Sequence, residues 1–176
     1  MENKPQIDLL AANIKLLVLD VDGILSDGKL YFANSGEEIK AFYTMDGLGL
    51  KMLMQAGIEV ALITGRKSEI VEIRASNLGI RHVFQGSDEK LDILDALLEK
   101  LDLDYARVAY AGDDLPDLAC IKKVQLGITV PNGHFLLKES ADAITTREGG
   151  HGAVREICDW ILQAQGKFDD AVKPYL

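Results

Sequence analysis

The chain has 176 residues, with 19 Lys and Arg against 28 Asp and Glu, a net charge of −9 and 48% apolar residues. That length is about one domain at roughly 100–200 residues each and can bury one sizeable core, so residues 1–176 read as a single domain. The apolar share excludes disorder as the main state, and the acidic balance gives no long-range attraction to nucleic acid or anionic lipid. No run of about 18 apolar residues offers a membrane span. Residues 1–14 carry polar breaks at Asn3, Lys4, Gln6, Asp8 and Asn13. They lack the basic start and apolar middle of an export signal, so a cytoplasmic protein is expected. Cys120 and Cys158 lie far apart among apolar neighbours, which reads as two packed thiols in a reducing compartment.

Residues 16–20 (LLVLD) form the first strand candidate. Two short β-prone runs follow, 29–32 and 38–42, around Asn34-Ser35-Gly36. They predict a β-hairpin flap within 24–42. A lone hairpin is marginal in water, so its Leu30, Tyr31 and Phe32 should pack on something, another subunit included. Residues 48–56 read as a helix stopped by Gly57, 60–64 (VALIT) as a strand, and 68–78 as a helix stopped by Gly79. Residues 82–84 are a weaker strand. The stretch 90–101 places Leu91, Leu94, Leu97, Leu98 and Leu101 on one helical face. Residues 108–112 (VAYAG) and 126–130 (LGITV) are strands. Residues 153–165 are a helix with Val154, Ile157, Cys158, Ile161 and Leu162 on one face, and 167–176 read as a tail. Near-continuous apolar strands alternating with helices predict an α/β fold, a Rossmann-like and mostly parallel sheet between helices.

Three of these strands end in polar groups: Asp20-Val21-Asp22-Gly23, Thr64-Gly65-Arg66 and Gly112-Asp113-Asp114. Ligands of open α/β sheets sit outside the carboxyl ends of the strands, so adjacent parallel strands would bring these groups to one pocket. Asp20 and Asp113 offer hard oxygens suited to Mg²⁺. An Asp20 oxygen can attack phosphorus to give an aspartyl phosphate. Asp22 is placed to protonate the leaving oxygen and then to activate water. The Thr64 hydroxyl and the Gly65 amide can donate to phosphoryl oxygens, and Lys90, opening its helix, can balance the charge. Taken singly, each motif has a plainer reading. Thr64 could be a helix cap, Gly112-Asp113-Asp114 a turn before Pro116, Lys90 a surface lysine, and Asp-x-Asp-Gly a loop. A calcium loop is disfavoured by Ile24 at the fifth position and by the strand before it. His82, His134 and His151 have no metal-ligand spacing.

In order, DVDGILSDG, ITGR, Lys90 and GDDLPD resemble the four motifs of the haloacid dehalogenase-like phosphatases. GEEIKAF, DGLG, QGSDEKLDIL and GGHGAVREICDWILQAQGK extend the likeness to a branch without a large cap domain, over about residues 14–167. The resemblance implies that Asp20 is the nucleophile, Asp22 the general acid/base, Thr64 the phosphate-binding hydroxyl and Lys90 the motif lysine. It implies Mg²⁺ held by Asp20, Asp113 and the backbone carbonyl of Asp22, with Asp114 and Asp117 as supporting acids behind them. It also implies a homotetramer whose neighbouring subunits close each site. Gly65, Arg66, Arg74 and the Gly149-Gly150 region become candidate substrate contacts. The branch's substrate is 3-deoxy-D-manno-octulosonate 8-phosphate, of lipopolysaccharide sugar synthesis, with phosphates of nine-carbon sugar acids as the nearest alternatives. Met45 and His151 stand where such relatives often carry basic residues. A phospho-accepting receiver module uses similar groups, but there the acidic pair comes first and the phosphorylated aspartate later. Here Asp-x-Asp comes first and Gly-Asp-Asp late, and Asp22 supplies an acid/base that a receiver lacks.

Overall fold

The computed structural model describes residues 4–176, with the side chains of 4–6 left aside. Six parallel strands form the main sheet: β1 (Leu16–Leu19), β4 (Glu59–Thr64), β5 (His82–Gln85), β6 (Val108–Ala111), β7 (Leu126–Thr129) and β8 (Ala143–Ile144). Their order is β5-β4-β1-β6-β7-β8. The chain therefore builds outward from β1 to one edge, then returns to β6 and builds to the other. The reversal opens a crevice between the ends of β1 and β6.

Successive strand residues face opposite layers, which is why these runs are apolar throughout. Leu17, Leu19, Val60 and Leu62 pack toward α1 (Lys4–Ala11), α2 (Thr44–Gln55), α3 (Glu69–Leu78) and α7 (Ala153–Ala164). Leu16, Val18, Ala61, Ile63 and Tyr110 pack toward α4 (Lys90–Leu101), α5 (Leu118–Lys123) and α6 (Phe135–Ser140). The predicted faces of α4 and α7 are largely the buried ones: Leu94, Leu97 and Leu98, and Val154, Ile157, Cys158, Ile161 and Leu162. Both cysteines are free and buried, and among the described residues no helix is long and apolar enough to cross a membrane.

The hairpin is present as β2 (Tyr31–Phe32) and β3 (Glu38–Ile39), antiparallel and separate from the main sheet. Four elements go beyond the sequence reading. Helices α1, α5 and α6 have six to eight residues each, too few for a clear helical period, and β8 has two. The expected tail is instead α8 (Phe168–Val172), followed by a 3₁₀ turn over Lys173–Tyr175. Phe168, Ala171 and Val172 lie against the core, and that apolar anchorage orders a segment too short to be helical alone.

Candidate active site

Asp20 is the residue after β1 and remains tied to the sheet, its amide donating to the Ala111 carbonyl at 2.9 Å. Lys90 opens α4 and turns inward; its side chain is 4% exposed. The ammonium donates to Asp20 Oδ1 at 2.7 Å and to Asp117 Oδ1 at 2.7 Å. The Tyr110 hydroxyl, buried beneath them in β6, donates to the same Asp117 oxygen at 2.8 Å. Asp117 Oδ2 accepts the backbone amides of Asp113 at 3.2 Å and Asp114 at 3.4 Å. Asp117 thus braces both the lysine and the loop that carries Asp113. Asp114 uses its own carboxylate to cap the short turn over Leu115–Asp117, accepting from the Leu115 amide at 2.8 Å.

Asp20, Asp113 and Asp117 bring carboxylate oxygens within 4.8 Å of one another. Three carboxylates face one ammonium, an excess of two negative charges that a divalent cation cancels. The strain of that excess is visible in the acids. Burial first, and then the charge of Asp117, push Asp20 up to about 7 against the opposing pull of Lys90. Burial, Asp117 and Asp114 push Asp113 up to about 7 as well. The Lys90 ammonium loses some stability to burial, but the charges of Asp20 and Asp117 outweigh that loss and raise its pKa. Both oxygens of Asp117 accept hydrogen bonds, which leaves Asp20 and Asp113 as the freer candidates of the three for a hard cation such as Mg²⁺.

The loop after Asp20 is shaped by a backbone only glycine can supply. Gly23 has φ +100°, and a Cβ there would lie 2.0 Å from Asp113 Oδ2. A second glycine backs this loop: a Cβ on Gly149 would lie 1.7 Å from the Gly23 carbonyl oxygen, and the Gly150 amide donates to the Ile24 carbonyl at 2.9 Å. The Gly149-Gly150 pair therefore supports the Asp22–Gly23 loop by direct backbone packing. Gly149→Ala should displace that loop, costing about 1–3 kcal/mol of stability and lowering turnover. Urea unfolding and steady-state kinetics check both effects.

A cleft of about 530 Å³ opens above these groups. It is lined by Asp20, Asp22, Thr64, Gly65, Arg66, Lys90, Asp113, Asp114 and Asp117, with Gly28 and Leu30 from the loop and hairpin side. The polar groups at the ends of β1, β4 and β6 thus do converge. Arg74 does not join them. It lies on the α2-facing side of α3, stacked 5.6 Å over the Phe42 ring and against Gly47, and is not among the residues that line this cleft. Met45 likewise faces a separate hollow of about 340 Å³ beside Arg147, Arg155 and Trp160.

Other groups escaped the sequence reading. Lys40, just after β3, ion-pairs with Asp22. Glu38, in β3, accepts from Arg66 Nη2 at 3.0 Å and Ser68 Oγ at 2.8 Å. Glu38 is held below its usual range, chiefly by the Ser68 hydrogen bond and with help from Arg66 and Lys40, against the opposing effect of burial. Lone charges on a hairpin read as solvated, and no local spacing marks either residue as a partner of Asp22 or Arg66. Tyr110 was legible only as a strand residue; the hydroxyl in an otherwise apolar run was the available sign.

A doubly wound sheet with a lysine-braced aspartate at its switch point, and a second acid opposite, is suited to phosphoryl transfer. The comparisons narrow this. The haloacid dehalogenase-like hydrolase family model matches residues 68–157. The 3-deoxy-D-manno-octulosonate 8-phosphate phosphatase of Salmonella typhimurium is 51% identical over 167 residues, covering 95% of this chain and 89% of that protein. The same enzyme of Escherichia coli K12 is 52% identical over 161 residues, 92% of this chain and 86% of its own length. Among solved structures, a probable YrbI family phosphatase from Pseudomonas syringae matches with a TM-score of 0.96 at 51% identity, covering 97% of each chain. The Moraxella catarrhalis 3-deoxy-D-manno-octulosonate 8-phosphate phosphatase, solved with magnesium, phosphate and KDO, matches with a TM-score of 0.95 at 49% identity. It covers 97% of this chain and 98% of that one. The chain belongs to the haloacid dehalogenase-like hydrolases and, within them, to the 3-deoxy-D-manno-octulosonate 8-phosphate phosphatase family.

Proposed function

We infer that the chain is a magnesium-dependent phosphatase that hydrolyses 3-deoxy-D-manno-octulosonate 8-phosphate to the free sugar acid and phosphate. The observation that carries this reading is the Asp20–Lys90–Asp117 cluster facing Asp113 at the switch point, in a chain 51% identical to the Salmonella enzyme over 95% of its length. Asp20, Asp113 and the backbone carbonyl of Asp22 are the groups proposed to hold Mg²⁺. The bound ion would screen the repulsion between Asp20 and the incoming phosphate and stabilise charge on the transferring group.

The protein's own residues supply the rest. An Asp20 carboxylate oxygen attacks phosphorus and the bond to the sugar oxygen breaks. Asp22, protonated, gives its proton to that oxygen as it leaves. Asp22, now a carboxylate, takes a proton from water; the water oxygen attacks phosphorus, and the bond to Asp20 breaks to release phosphate. Lys90 holds Asp20 in place and offsets charge at the phosphoryl group. The Thr64 hydroxyl and Gly65 amide donate to the phosphoryl oxygens, and Arg66 offers a cation at the rim for the sugar acid. The test is phosphate release from a panel of sugar phosphates with and without Mg²⁺. Turnover of the eight-carbon substrate that vanishes with chelator is expected. Higher kcat/KM for a nine-carbon sugar-acid phosphate would move the substrate assignment. Mg²⁺ should also raise the thermal midpoint, by the equivalent of about 2.7 kcal/mol at 100 times its Kd.

The working state is proposed to be a homotetramer in which neighbouring subunits close the cleft. What supports it is the hairpin: Phe32 is 61% and Ile39 56% exposed on a two-stranded sheet that has no main-sheet partner. Light scattering should give four chain masses. A fully active monomer would remove this part of the reading.

A further inference from the structure

Asp20 and Asp22 stand two residues apart, and each is held by a lysine of its own. Lys90 serves Asp20 from α4. Lys40 serves Asp22 from the hairpin, 18 residues along the chain. The Lys40 side chain is only 2% exposed, although Ile39 beside it faces solvent. An ammonium withdrawn from water must find charged or hydrogen-bonding partners. Glu38 Oε1 is 4.0 Å away, but Glu38 is already engaged with Arg66 and Ser68. Asp22 Oδ1 is therefore the principal acceptor of the Lys40 ammonium, a hydrogen bond that the carboxyl oxygen accepts with or without a proton on the other oxygen.

The same carboxylate is gripped from two other directions. Ser26 Oγ donates to Oδ1 at 3.2 Å, and Arg66 Nε lies 3.6 Å from Oδ2. Ser26 belongs to the turn after Asp22, Arg66 to the segment after β4, and Lys40 to the hairpin. Of the three, Lys40 is the one whose charge is fully enclosed; Arg66 is 45% exposed and Ser26 is neutral.

We propose that Lys40 is a positioning residue for Asp22, holding its carboxyl group in one orientation at the mouth of the cleft. The proposal rests on the acid/base reading of Asp22 given above. Proton transfer needs donor and acceptor within hydrogen-bond reach, and a displacement of about 1 Å can cost about 10²-fold in rate. Lys40 acts through Asp22, so its loss is felt in proportion to how much the leaving group needs a proton. The hairpin thereby completes the acid/base, and the chemistry depends on a segment outside the Rossmann-like core.

The experiment uses full-length Lys40→Met, Lys40→Arg, Asp22→Asn and the double variant Asp22→Asn/Lys40→Met. Release of the leaving group in the first turnover is followed with saturating Mg²⁺. The substrates are 3-deoxy-D-manno-octulosonate 8-phosphate, whose alkoxide needs a proton, and 4-nitrophenyl phosphate, whose phenolate leaves without one. Lys40→Met should slow the sugar substrate about 10–100-fold while the aryl substrate loses little and KM for both stays near wild type. Lys40→Arg, which keeps the charge, should recover most of the loss. The double variant should be no slower than Asp22→Asn alone, because coupled residues are not additive. Equal slowing of both substrates, a change confined to KM, or a double variant slower by the product of the single effects overturns the proposal. If Asp22→Asn itself fails to separate the two leaving groups, the acid/base reading falls and takes this proposal with it; if Asp22→Asn separates them and Lys40→Met does not, only the Lys40 role falls. Circular dichroism confirms the fold of each variant, and Lys40→Gln replaces Lys40→Met if the latter does not fold.

Discussion

Asp20→Asn is expected to abolish turnover, by about 10⁴-fold or more, in a protein that still folds. The amide has the carboxylate's shape and can still accept from Lys90, so the packing of β1 and α4 is kept. What disappears is the nucleophile and one negative charge. That charge is costly in the free protein: burial and Asp117 hold Asp20 at about 7, well above its ordinary 3.8. A carboxyl whose folded value is raised favours folding least where it is ionised, that is, above about 7. At pH 8 without metal, the neutral asparagine should therefore leave the thermal midpoint unchanged or raise it. Loss of activity with retained or improved stability is the pattern of a residue kept for chemistry rather than for folding. Near-normal turnover in the folded variant would refute the nucleophile assignment.

Lys90→Met should lose both stability and activity. The ammonium is buried and bonded to Asp20 and Asp117 at 2.7 Å each, so its removal leaves enclosed carboxylates without a counter-charge. Breaking such a pair costs about 3–5 kcal/mol. The two carboxylates raise the folded pKa of Lys90 above its ordinary 10.5, so its stabilisation is fully present below 10.5 and fades only as pH rises through that higher value. The full loss should therefore appear at pH 8 in urea unfolding. Turnover should fall by about 10²–10³-fold, since Asp20 loses its anchor and the phosphoryl group a compensating charge. Added Mg²⁺ should recover part of the lost stability, because it neutralises the same carboxylates. Wild-type stability in the variant would mean the cluster does not need the lysine.

The correspondence between expected and observed structure follows the range of the interactions involved. Strands and the longer helices were legible because apolar run length and three-and-four spacing are local properties. Where a helix has six residues or a strand two, as in α5, α6 and β8, no period is established before the element ends, and neighbouring packing decides. The segment 167–176 read only as a tail for the same reason; Phe168, Ala171 and Val172 find their support on the core, not in their own sequence. Arg74 became a candidate substrate contact through the resemblance and its nearness to the expected pocket. Its place around the helix turns it toward Phe42 and Gly47 instead.

By itself, the sequence determined that Asp20, Thr64 and Asp113 would stand at the carboxyl ends of strands, because each directly ends or follows an apolar run, and parallel pairing then brings the three together. The chain order of those groups also separated a hydrolase from a receiver. Only the tertiary structure decided that Asp117 would brace Lys90 and the Asp113 loop with both of its oxygens, that Gly149 would lie against the Gly23 carbonyl, and that Lys40 would be enclosed beside Asp22. The reason is that a hydrogen bond or ion pair between distant segments depends on distances of a few ångströms set by how the layers pack, and composition and periodicity carry no information on that scale.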